Sequence, residues 1–558
     1  MARTCDPVVE SRPPRIARRI GRALLLGTAA CLAASCAGER GAPAGEGAPV
    51  RGGTAVVCLP TAPGSLDPFV SPDLSSRELA ALLYTPLVRY GTGEAYRPYL
   101  ARSWRWSADR RALTFDLRTD VTWHDGERVT ALDVAFTIRR AADPAFGYPG
   151  AGDFAGVDTV VAGDSATVTV RFGRPPVSGL EPFADGLPIL PAHLLGGLGP
   201  EAFAAAAYHH EPVGSGPYRL APGSDPGGGI RFERWDGFPE ELGPARLDAL
   251  EVRVVPDAAT REAELRSGGV DACVITASQA AAVDSIKDVR TLTVPPVLTQ
   301  FLILDTARPP VRDVRVRRAI SAAIDREELA AVVSPAASPA RGPLPAGHPY
   351  ADPDALQPDA DSALADSLLT AAGWRAGDGS GDPRVGPGGR RLDLTVAAPP
   401  QMRDAVTVLQ AQLGRAGIRV EPRLMDFASL VGVLQDPERR PPAVLLGSAP
   451  AHRLRPDFYT SLVTGGPTNA SSYSSAEVDS AVARLASTTD SDVVAAQYRI
   501  LQERVAADLP VVYTIRVPHV LAVRPRLRGV EAGPAGPFAA VGSWWIPEGE
   551  RRAAGRGE

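Results

Sequence analysis

Lysine is nearly missing from this chain: Lys287 stands alone among 59 basic residues. Chemistry that depends on lysine, such as a Schiff base or a Walker-type phosphate loop, has that single candidate, and Lys287 sits in neither motif. Cysteine is scarce as well, five in 558 residues. No C-x-x-C pair occurs and no histidine lies at ligand spacing, so no metal site is expected. H-E-x-x-H, G-x-S-x-G and S-x-x-K are all missing, which leaves a hydrolase without its usual signatures. Ser215 comes nearest, but Val213 stands where the first glycine of a nucleophile elbow belongs. A basic patch interleaved with aromatic residues is lacking, so no nucleic-acid partner is expected. The expectation is a protein without cofactor and without catalysis.

Long apolar runs are lacking too. The run Ala23–Leu32 is too short to span a membrane. It follows Arg12, Arg15, Arg18, Arg19 and Arg22 and leads into small residues up to Cys36, the layout of a secretory signal over 1–35. Ala33-Ala34-Ser35-Cys36 resembles a lipobox, so Cys36 is the expected lipidation site, and the Gly/Pro-rich 36–51 reads as a flexible tether. A lipid there would hold the body at a membrane surface. Once Cys5 and Cys31 leave with the signal, Cys58 and Cys273 remain. They either pair, as an exported protein allows, or stay as two buried small hydrophobes.

The length suggests two to four domains, and 44% hydrophobic residues is enough for a large core. The most informative stretch is Leu113–Arg140. Leu113, Phe115 and Leu117 alternate with polar residues, the pattern of a half-buried strand. A second extended piece is expected at Val121–Trp123, then a turn at His124-Asp125-Gly126. Thr130 is placed to cap a helix with Val134 and Ile138 on its inward face. Further on, Leu247–Val255, a helix ending near Ser267 and Val270–Ile275 spell strand, helix, strand, which implies a parallel crossover unit. Val311–Leu329 reads as a helix capped by Asp313, with Val316, Ile320, Ala323 and Ile324 on one face and Arg315, Arg317 and Arg318 as solvated charges.

The stretch Leu113–Arg140 resembles the signature region of the family 5 solute-binding proteins, the oligopeptide-, dipeptide- and nickel-binding components of bacterial ABC importers. Gly52-Gly53-Thr54, Ser65-Leu66-Asp67-Pro68, Pro212–Tyr218 (PVGSGPY), Val311–Leu329 and Asn469–Asp479 resemble further family segments, in order, from about Gly52 to Val530. The resemblance implies an α/β fold of the periplasmic binding protein type II kind, two large lobes with a hinged cleft plus a smaller inserted domain. The implied division is domain I from 52–84, 214–297 and 515–548, domain II from 85–213, domain III from 298–514, and a disordered tail at 549–558.

It also implies function: an exported, lipid-anchored monomer, periplasmic or at the cell surface, that captures a peptide-like solute and delivers it to an ABC permease. A ligand-sensing or chaperone-like lipoprotein, a binder of a non-peptide (anionic, glycan or metal-chelate) ligand and an exported hydrolase are the alternatives. Peptide binders of the family place an aspartate in a late segment that corresponds to Val444–Phe458. Here that segment carries His452, Arg453, Arg455 and Asp457, with no acid before Pro456, so the expectation is either an anionic or neutral ligand or Asp457 as a substitute after a register shift. Trp374 and Tyr473 are added as aromatic candidates for the cleft wall.

Overall fold

Two long strands, Arg290–Leu304 and Val511–Val523, run side by side through the middle of the chain's main sheet and belong to both of its halves. The computed structural model describes residues 48–552 except 72, 91–95, 177–178, 185, 225–228, 244, 277–278, 335, 378, 380–381, 449–457, 467, 489 and 532–535. The signal, Cys36, most of the tether, and His452, Arg453, Arg455 and Asp457 therefore lie outside the described residues. Among the described residues no helix is long and apolar enough to cross a membrane.

On one side of the two crossover strands the sheet continues through Ala272–Ile275, Thr54–Leu59, Ala249–Val254, Gly229–Arg234 and Tyr218–Leu220; on the other through Ala443–Ser448, Asp393–Ala398 and Arg419–Leu424. Ala249–Val254 and Ala272–Ile275 both run parallel to Thr54–Leu59, which lies between them. This is the crossover unit expected from the sequence, made by the helix Ala258–Ser267, whose C-cap Gly268 takes φ 79°. Cys58 and Cys273 are direct register partners and form a disulfide with Cα atoms 4.5 Å apart. That settles the open alternative in favour of pairing.

A separate four-stranded sheet, Ala101–Trp106, Ala112–Leu117, Thr167–Phe172 and Val157–Ala162 in that spatial order, forms the inserted part. Leu113, Phe115 and Leu117 are buried as the alternation requires. Val121–Trp123 makes only an isolated bridge, Thr122 to Arg128, around a turn with Gly126 at φ 96°. The helix Ala131–Ala142 carries the expected cap: Asp133 accepts the Thr130 amide at 2.8 Å, and Val134 and Ile138 are fully buried. The hydrophobic core of this insert is continuous with that of the first half of the main sheet, whereas the second half has cores of its own.

Two family segments meet at one seam. The His124 ring accepts the Gly214 amide on Nδ1 and donates from Nε2 to the Gly216 carbonyl, both at 3.1 Å. The Ser215 and Gly216 amides both donate to the Leu83 carbonyl at 2.9 Å. A Cβ on Gly214 would fall well inside contact distance of that same oxygen, so glycine is required by close approach of two backbones. Ser215 is itself fully buried, and the run PVGSGPY acts as a structural seam.

Three expectations are corrected. Arg317 is buried rather than solvated, because its guanidinium bridges the carbonyls of Asp508, Val311 and Arg312. The helix holding it spans Val314–Ala323 and breaks at Ile324 before a second helix, Arg326–Val333. The tail is ordered at least through Arg552: Arg551 donates to the Arg51 carbonyl at 2.5 Å and Arg552 to the Gly268 carbonyl at 2.7 Å. These arginines find acceptors on helix-end and loop carbonyls, which the polar composition alone does not reveal.

Candidate functional site

The parallel strands of the two halves point their carboxyl ends at each other. Thr54–Leu59 runs antiparallel to Val511–Val523 through Ala272–Ile275, and so heads toward the far half. Ala443–Ser448 runs antiparallel to Arg290–Leu304 and heads back. The ends at Leu59, Val254 and Ile275 thus face those at Ala398, Leu424 and Ser448 across the crossover strands. In open α/β sheets, ligands bind outside the carboxyl ends of the strands.

In chain order, helix starts follow three of these ends. Asp73 caps the helix Leu74–Leu83, Asp257 caps Ala258–Ser267 and Asp426 caps Phe427–Gln435, each accepting a backbone amide. The cap carboxylates hold the orphan amides and offset the positive helix ends. Asp257 is held below the usual carboxylate range chiefly by its hydrogen bond from the Thr260 hydroxyl.

The crossover itself has a break. Pairing between the two strands is regular from Arg290/Val523 to Val294/His519, then resumes at Leu298/Val517 after a bulge. Pro295, Pro296 and, opposite them, Pro518 have no amide hydrogen to give, so the ladder is thinnest where one half passes into the other. Beside the break, Glu78 on the helix Leu74–Leu83 faces His519 at 3.5 Å.

The predicted aromatic residues are not brought together and do not share a wall. Trp374 packs among Leu369, Leu392 and Ile418 in one core. Tyr473 lies in another core with Tyr498 and Tyr513, and its hydroxyl donates to Asp508 at 2.5 Å. Burial raises the Tyr473 hydroxyl to about 12. Both side chains have packing roles in this structure. Arg516, Thr299 and Ser448 lie at the carboxyl-end rim; Ser448 falls within Val444–Phe458, whereas Arg516 and Thr299 stand on the crossover strands outside any family segment, where no motif marks them. Among the described residues no group of three or more His, Cys, Asp or Glu side chains is arranged to hold a metal ion.

The comparisons with known proteins agree with this architecture. A family model described as bacterial extracellular solute-binding proteins, family 5, matches residues 95–474. Protein XP55 of Streptomyces lividans is 28% identical over 556 residues, covering 94% of this chain and 98% of that protein. The oligopeptide-binding protein AppA of Bacillus subtilis is 23% identical, covering 90% and 93%. Its structure in complex with a nonapeptide superposes with a TM-score of 0.78 over 90% of this chain and all of AppA, at 22% identity. NikZ of Campylobacter jejuni, solved with Ni(L-His), gives 0.75 over 88% of this chain and 99% of NikZ, at 21% identity. With a fold of this kind and a family-model match over residues 95–474, this chain belongs to the bacterial extracellular solute-binding proteins of family 5.

Proposed function

We propose that this protein captures a peptide-like solute between its two large lobes and delivers it to an ABC permease, while a lipid on Cys36 keeps it at the membrane. The observation that carries the reading is the facing of six carboxyl strand ends across two strands whose pairing lapses at Val294/Leu298. Lobe I comprises 52–84, 214–297 and 515–548, lobe III comprises 298–514, and domain II at 85–213 moves with lobe I because they share one core. Ligand bridging both lobes favours the closed state by the contacts it makes only there. The binding of a nonapeptide by AppA supports a peptide-sized ligand. His452, Arg455 and Asp457, which follow Ser448 in the sequence and lie outside the described residues, are proposed as ligand contacts together with Trp374 and Tyr473.

The test is native mass spectrometry of residues 37–558 purified from cells. A co-purifying mass in the peptide range that mild unfolding removes is the expected result. Empty protein that also shows no thermal shift with a peptide library would overturn the reading.

A further inference from the structure

We infer that Arg516 anchors an anionic group of the solute, a carboxylate first of all; this rests on the interlobe cleft being the capture site. Arg516 stands one level beyond Leu298/Val517, where the pairing of the crossover strands resumes after the break. In register with it are Ser338 on one side, Thr299 on the other, and Ser448 beyond Thr299. All these pairings are antiparallel, so the four side chains leave the same face of the sheet. With strands ~4.8 Å apart, the row is a guanidinium flanked by hydroxyls over roughly 14 Å. Deeper on that face the pair Phe301 and Tyr513 is aromatic, with ring centroids 5.9 Å apart, so the polar row marks the edge where the core ends.

The guanidinium is only partly used. Its Nη2 donates to the carbonyls of Gly342 and Leu344, both at 2.7 Å. Its Nε is buried and has no acceptor. No described carboxylate pairs with it, and burial lowers its pKa. The acids nearest the cleft are committed: Asp73, Asp257 and Asp426 to helix caps, and Glu78 to His519. The planar fork of arginine suits a carboxylate, and no described acid neutralises its charge at this rim. The two carbonyl bonds hold the fork in place before the ligand arrives, so little side-chain entropy is lost on binding.

The test uses the exported chain, residues 37–558, stripped of ligand and offered two libraries of random tripeptides, one with free C-terminal carboxylates and one amidated. Native mass spectrometry reads the bound fraction of each. The wild type is expected to favour the free acids by about tenfold, the worth of one charge-assisted hydrogen bond. Arg516→Gln is expected to bring the ratio of acids to amides near one, and Arg516→Lys, which keeps the charge, to retain part of the preference. Equal binding of both libraries by the wild type, or an unchanged preference in Arg516→Gln, overturns the assignment while leaving solute capture standing. Binding of neither library by the wild type overturns the peptide-capture reading and this inference with it. The wild-type ratio needs no variant, so a misfolded substitution does not spare the proposal.

Discussion

Acid should weaken this protein through one imidazole. His124 sits in the seam between domain II and lobe I, accepting an amide on Nδ1 and donating from Nε2. This pattern needs the neutral ring, and burial pushes its pKa down to about 4 from an ordinary 6.5. Above pH 6.5 the ring is neutral folded or unfolded, and the group has no effect on the pH dependence. As pH falls below 6.5 the unfolded chain takes up a proton that the folded one refuses. Stability then falls by up to ~1.4 kcal/mol per pH unit, about 3 kcal/mol in all by pH 4. Urea unfolding at several pH values between 7.5 and 4 measures this, compared with His124→Gln, whose amide can both accept and donate. The variant is expected to start less stable by about 1 kcal/mol and to lose less on acidification. Parallel curves for the two proteins over pH 6.5 to 4 would refute the reasoning.

Other outcomes follow from neighbouring geometry. His209 is doubly engaged, with Nδ1 on Asp67 at 2.9 Å and Nε2 on the Phe203 carbonyl at 2.7 Å. Burial opposes its charge, but Asp67 outweighs it and raises the pKa. Its contribution is complete below about pH 6.5 and is lost as pH rises through the raised value, so the stability gap between wild type and His209→Gln should narrow in alkali. Asp67→Asn, which strands the imidazolium, should cost about 3–5 kcal/mol near neutral pH by denaturant titration; a loss below 1 kcal/mol would mean the ring is neutral. Replacing both Cys58 and Cys273 by serine opens a cross-link of 215 residues' separation and should cost about 2–5 kcal/mol, an effect that reductant on the wild type must reproduce. Gly214→Ala should lower the melting temperature by several degrees or abolish soluble protein, since its Cβ meets the Leu83 carbonyl; an unchanged melting temperature would contradict the seam.

Local chemistry is short-range, and that is why much of the fold is legible in the sequence. Alternation at Leu113, Phe115 and Leu117, the cap at Thr130 and the glycine stop at Gly268 each depend on a few adjacent residues, and each determines its element wherever the chain goes. The spread of family segments from Gly52 to Val530 likewise states the family without coordinates. Side-chain roles depend on what arrives from far away. Trp374 and Tyr473 look alike to a reader of sequence, yet each is claimed by a different core. Arg317 and Arg516 sit in unremarkable contexts, and only the approach of carbonyls from 508 and from 342–344 decides that the first is buried and the second half-buried. Residue patterns alone were enough for most of the elements and for the family. The tertiary structure alone decided that Cys58 meets Cys273, that two proline-interrupted strands join the lobes, and that one guanidinium waits at their junction, because pairing register and desolvation are properties of contacts hundreds of residues apart.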